Sequence, residues 1–172
     1  MKRVVSIDPG STGGIAVFDD EGSDLIELHT IPRVKDNIDY NALSSLLKEL
    51  IDSRTTVVLE EVHAVFGSSA KSTFAFGHIN GFLLGVVVSI GQPYVLVQPK
   101  EWQKVIWTNQ DKVYKPGKAK KTTDTKATSL LAAKRLFPKT SFLATTKSSK
   151  PHDGLVDASL IGKWYLMTNG VK

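Results

Sequence analysis

Apolar residues alternate or cluster in short runs through the first third of the chain and recur at helical spacing afterwards. This change of period sets the expected architecture. Lys2 to Ile7 reads as a buried strand, followed by the tight turn Asp8 to Gly14 with the sequence Asp-Pro-Gly-Ser-Thr-Gly-Gly. Gly14 to Phe18 returns as a second strand, and after the acidic turn from Asp19 to Gly22 a third runs from Leu25 to Ile31, ending at Pro32. Three strands in succession predict a meander. Asp39 is a candidate N-cap for a helix whose Leu43, Leu46, Leu47, Leu50 and Ile51 fall on one face. Thr55 to Leu59 is a short β-branched strand that delivers Glu60 and Glu61 at its end, so the preceding helix is a crossover connection. A long apolar helix from about Ser72 to Ile90, a strand from Tyr94 to Val97 and a short helix from Pro99 to Trp107 follow. Thr108 to Lys121 is polar, lysine-rich and broken by Pro116-Gly117, which predicts a mobile excursion. Thr122 or Thr123 caps a helix running to Phe137, and the last helix spans Asp153 to about Thr168. The expectation is one α/β domain over residues 1–172, with a mixed five-stranded sheet built from the meander and two parallel crossover strands. Helices cover both faces. Ligands of such sheets gather at the carboxyl ends of strands, where Asp8 and Glu60 fall.

Composition narrows the chemistry. With 41% hydrophobic and 23% charged residues, the chain is neither disordered nor fibrous. The absence of cysteine excludes disulfides, thiolate catalysis, iron–sulfur clusters and cysteine-based zinc sites. Met1-Lys2-Arg3 leads straight into a strand, and the apolar run from Phe82 to Ile90 is too short to cross a bilayer, so a soluble cytoplasmic protein is expected. The formal charge is +5, but thirteen basic and only three acidic residues lie between Lys100 and Lys150, leaving the remainder net negative. Such a patch attracts a polyanion, with nucleic acid the commonest and a merely solvated loop the bland alternative.

Four carboxylates are candidates for holding two divalent cations. Asp8 and Glu60 end strands, and Asp153 and Asp157 are four apart, on one face of a helix. Two Mg²⁺ ions about 3.5–4 Å apart can clamp both oxygens of an in-line phosphodiester displacement, and such hard cations ask for carboxylates. Each acid has a structural alternative: Asp-Pro-Gly is a common turn, and Asp153 can serve the helix dipole. Glu60 and Glu61 point to opposite faces of a strand, and its pattern does not choose between them.

Ile7-Asp8-Pro9-Gly10-Ser11 with Thr12-Gly13-Gly14, then Leu59-Glu60-Glu61-Val62, then His152-Asp153-Gly154-Leu155-Val156-Asp157-Ala158 together resemble the RuvC-type Holliday-junction resolvases, particularly their bacteriophage and poxvirus branches. The resemblance spans nearly the whole chain. It implies an RNase H-like fold, a homodimer, and Mg²⁺- or Mn²⁺-dependent paired nicking of four-way junctions, with forks and flaps as further substrates and no small-molecule cofactor. It assigns the metal-binding and catalytic set to Asp8, Glu60, Asp153 and Asp157, and it matches Lys126 to a second active-site lysine. Where bacterial members carry another lysine this chain has Gln103, with Lys104 next to it.

Lys112, Lys115, Lys118, Lys120 and Lys121 are candidate phosphate contacts, and Phe66 and Lys71 lie where the resembling enzymes insert an aromatic into the junction. Phe66 reads equally as a local core residue. Gly77, Gly81 and Gly85 strip one stripe of the long helix, for a dimer contact or for packing on the chain's own sheet. His29 and His78 suit core or interface roles, and His152 adjoins the acids. Three rivals stand beside the resolvase reading. One is a branched-DNA binder without cleavage and another a nuclease of RNA-containing hybrids. The third is an actin-like ATPase, whose phosphate loop the Asp8–Gly14 turn resembles but which needs two such lobes.

Overall fold

The computed structural model describes residues 3–10, 12–19, 25–61, 69–117 and 121–169. Its strands are β1 (Arg3–Asp8), β2 (Gly14–Phe18), β3 (Leu25–Thr30), β4 (Arg33–Val34), β5 (Asn37–Ile38), β6 (Thr55–Glu60) and β7 (Tyr94–Val97). The helices are α1 (Tyr40–Leu50), α2 (Ala70–Ile90), α3 (Pro99–Ile106), α4 (Thr125–Leu136) and α5 (Asp153–Thr168). The main sheet has the order β3-β2-β1-β6-β7. β1, β2 and β3 pair antiparallel as the expected meander, and β6 and β7 add parallel strands beside β1. A two-residue hairpin, β4–β5, joins the meander to α1.

Alternation along the strands divides the interior in two. Val5, Ile7, Ile15, Val17, Val57 and Leu59 face α1 and α2, which contribute Leu43, Leu47, Leu50, Ile79, Leu83 and Val87. Val4, Ala16, Phe18, Val58 and Val97 face the other way, into a core built with Trp102 of α3, Ala132 and Ala133 of α4 and much of α5. Helix α1 begins at Asp39, whose carboxylate accepts the Ala42 N–H at 2.9 Å, as its sequence predicts.

Three expectations are corrected. The cap of α4 is Asp124, which accepts from the Ala127 N–H at 3.1 Å, rather than Thr122 or Thr123. The segment after α3 is tethered rather than a free excursion. Asp111, 2% exposed, accepts from the Thr108 N–H and hydroxyl, both at 2.8 Å, and from Arg135 Nη2 at 2.7 Å. Further on, Tyr114 bridges to Thr123, and the Val113 carbonyl accepts the Asp124 N–H at 2.8 Å. Finally, the apolar run thought too short for a bilayer belongs to a 21-residue helix, α2, long and apolar enough by length and composition to cross one. In this fold α2 lays Ile79, Leu83 and Val87 on the sheet.

Candidate active site

Strand register, not nearness in sequence, gathers the acids. Ile7 pairs with Leu59 across parallel β1 and β6, so Asp8 and Glu60 end neighbouring strands side by side. Asp8 shares its face with Val4 and Ser6, and Glu60 with Val58, the face packed against α5. Glu61 has the opposite parity, and its N–H donates to the Val97 carbonyl at 2.8 Å. Of the two adjacent glutamates, Glu60 is therefore the one turned toward the other acids.

Helix α5 brings Asp153 in its first turn and Asp157 one turn later. It comes very close to the Asp8–Gly14 turn, since Gly13 and Gly154 form a backbone bridge. A Cβ on Gly154 would stand 2.4 Å from the Thr12 carbonyl oxygen, so only glycine permits this approach. His152 caps the helix, its Nδ1 accepting the Leu155 N–H at 3.4 Å.

The electrostatics are those of crowded anions short of counter-charge. Burial holds the Asp8 carboxyl well above its usual range, and repulsion from Glu60 and Asp157 adds to this, against a 3.3 Å hydrogen bond from the Gly10 N–H. Burial also raises Glu60, opposed by the Trp102 indole N–H, which donates to its Oε1 at 2.7 Å. Asp157 is pushed up to about 7, chiefly by burial and then by Glu60 and Asp153, with a hydrogen bond from Ser129 opposing. Its Oδ1 is buried with no hydrogen-bond partner. Asp153 is half exposed and paired with Lys126 Nζ at 2.5 Å, an interaction that tightens the lysine's hold on its proton. Burial lowers the proton affinity of His152, partly offset by Asp153.

Among the described residues, no three Asp, Glu or His side chains stand close enough to form a finished metal cage. The donor set nevertheless fits a hard divalent cation. A buried, partnerless carboxylate oxygen on Asp157 beside two further carboxylates of raised proton affinity is charge that a cation would compensate.

The remaining predicted residues lie further out. Lys104 is exposed on the last turn of α3, and Lys71 is exposed in the first turn of α2. Lys112 and Lys115 are exposed, Lys112 donating to Asn109 Oδ1 at 3.2 Å, and Lys121 stands 5.3 Å over the Tyr114 ring. Phe66, Lys118 and Lys120 lie outside the described residues. Gly77, Gly81 and Gly85 face outward, with nothing within 4 Å of where a Cβ would be, so packing on the chain's own sheet does not explain them. His29 bonds Glu27 at 3.0 Å, and His78 meets the Tyr40 hydroxyl at 3.3 Å. Sequence reasoning missed Trp102 and Ser129 as partners of the acids. Trp102 is 42 residues from Glu60, and no local pattern announces a contact at that range.

This arrangement of sheet, crossover helices and C-terminal helix is an RNase H-like α/β fold. Its solved relatives in shape are RuvC proteins. Thermus thermophilus RuvC in complex with a Holliday-junction substrate superposes with a TM-score of 0.63 at 14% identity, over 99% of this chain and 98% of that one. Another Thermus thermophilus RuvC structure gives 0.59 at 16% identity, over 97% and 96%. No protein-family model and no curated protein matches the sequence.

Proposed function

We propose that this chain is a structure-selective endodeoxyribonuclease that resolves Holliday junctions and other branched DNA by paired, metal-dependent nicks, acting as a homodimer in the cytoplasm, as in the phage-like branch it resembles. The observation that carries the proposal is the convergence of Asp8, Glu60 and Asp157 on the α5 face of a RuvC-like sheet, with one buried carboxylate oxygen left unpartnered. Asp8, Glu60, Asp153 and Asp157 are the proposed ligands of two Mg²⁺ or Mn²⁺ ions, which when bound supply Lewis-acid stabilisation of the attacking and leaving oxygens. Trp102 keeps one oxygen of Glu60 fixed and its charge favoured. Lys126, beside Asp153, presents a cation toward the charge that develops on the phosphoryl group. The exposed Lys71, Lys104, Lys112, Lys115 and Lys121 supply phosphate contacts, to which Lys118, Lys120 and Phe66 belong by sequence.

The homodimer rests on α2. Phe74 is 76% exposed, and it forms with Gly77, Gly81, Gly85 and exposed Val88 a stripe spaced three or four residues apart. Such a stripe lets a second helix approach closely. Two sites related by a two-fold axis suit a four-way junction, whose opposing strands are equivalent.

One observation favours a second reading, a branched-DNA binder without cleavage: Lys126 already neutralises Asp153. Incubation with a labelled four-way junction and a matching linear duplex, in Mg²⁺, Mn²⁺ and EDTA, separates the two. Paired nicks in the junction, dependent on metal, are the expected result. Binding without nicks in either metal would establish the second reading.

A further inference from the structure

At the same end of the sheet as the carboxylates, on the side of β3, lies a cavity of about 340 Å³. β3 is two places from β1 in the sheet, about 10 Å away at ordinary strand spacing. A DNA strand whose scissile phosphate lies at Asp8 therefore carries a neighbouring nucleotide past the cavity mouth. The volume is at the small end of ligand sites and suits one flat ring system better than a run of backbone. Ile31 and Ala144 supply apolar wall, and the polar groups are the hydroxyls of Thr12 and Thr30 and the imidazole of His152. Because His152 Nδ1 accepts the Leu155 N–H, the neutral ring carries its proton on Nε2 and has a donor to offer. Arg33, at the rim, is engaged with the Asp36 carbonyl oxygen. A phosphate subsite calls for several converging N–H groups or uncommitted cations, whereas an apolar slot with a few directional groups is the chemistry that takes a base.

We infer that this cavity receives one unstacked nucleobase of the bound strand, adjacent to the nucleotide being cut, and so biases which sequence is cleaved. The inference rests on the nuclease reading above. Unstacking costs least where pairing is already weakened, as at a branch point.

The test uses four-way junctions randomised around the branch, with cut positions sequenced after reaction in Mg²⁺ or Mn²⁺. In parallel, junctions carry 2-aminopurine at each position in turn, and its fluorescence is read on binding in EDTA. The wild-type protein is expected to favour one base at one position within about two nucleotides of the nick, by on the order of tenfold. 2-Aminopurine at that position should brighten on binding. Two variants probe the cavity: Ala144→Leu, which fills it from an exposed position, and Thr30→Val, which removes a hydroxyl while keeping the β-branched shape of the strand. Both should reduce the preference to less than about twofold, and Ala144→Leu should abolish the brightening. Nicking with unchanged site choice and unchanged fluorescence in both variants would overturn the inference alone. No nicking by the wild-type protein, with the fluorescence response present and lost in Ala144→Leu, would overturn the nuclease reading and leave a base pocket on a DNA-binding protein.

Discussion

Asp157 concentrates the conflict within the site, because its carboxylate is desolvated, faces other acids and has an unpartnered oxygen. An acid whose folded-state pKa is raised binds its proton more tightly in the folded than in the unfolded state. The resulting penalty is absent below the unfolded value of about 3.9 and grows as pH rises toward about 7. Metal-free protein should therefore lose stability across that window, and a divalent cation should restore it. Asp157→Asn is expected to abolish nicking, retain junction binding and raise the melting temperature in EDTA at pH 8 by about 3 °C or more. Thermal melts and gel shifts check all three, and retained nicking would remove Asp157 from the site. Trp102→Phe keeps the buried ring and deletes only the donor to Glu60. Loss of a hydrogen bond to a charged group, about 1.5–3 kcal/mol, predicts a fall in kcat on the order of tenfold or more. It also predicts an acidic limb of the pH–rate profile moved to higher pH, since the indole is what opposes Glu60 protonation. An unshifted limb would mean that Trp102 merely packs.

At the level of elements, the joint between α3 and α4 controls the basic segment that the sequence presents as a loose loop. Arg135 donates to Asp111 through Nε at 3.0 Å and Nη2 at 2.7 Å, and from Nη2 also to the Ile106 carbonyl at 2.9 Å. The guanidinium holds Asp111 down at about 2. A depressed carboxylate stabilises the fold above its unfolded pKa, and that contribution is lost as pH falls through about 2. Arg135→Ala strands Asp111 and should cost about 2–3 kcal/mol at pH 7, measured by urea unfolding. The difference from wild type should shrink between about pH 4 and pH 2, the window between the two protonation midpoints. A cost independent of pH over that range would show that packing of the arginine, not its charge, matters.

For the whole molecule, the uncovered face of α2 is the feature a monomer explains least. Gly81 has open space above it, so Gly81→Glu should leave the fold intact and even favour the helix, while placing charge in the proposed contact. Sedimentation should then show half the wild-type mass, and junction cleavage should change from paired to single nicks. A wild-type protein that sediments as a monomer, or a Gly81→Glu variant that remains a dimer, would end the homodimer reading.

Much of the architecture is local information. β2, β7 and α5 have the bounds their apolar periods predict, and Asp8 and Glu60 were recognisable because each ends a run of buried strand residues. The β4–β5 hairpin escaped notice because two-residue strands carry no period. Asp124 was passed over as a cap because neighbouring threonines offer the same chemistry, and only the helix start decides among them. What the sequence by itself determined is which segments are strands and helices, and which acids stand at their ends, since periods of 2 and 3.6 are properties of adjacent residues. Tertiary structure alone decided that Glu60 rather than Glu61 faces the acids, that Trp102 holds it, and that the glycine stripe faces outward. Those outcomes depend on the pairing of β1 with β6 and on the rotation of α2 and α3 over the sheet, which contacts many tens of residues apart determine.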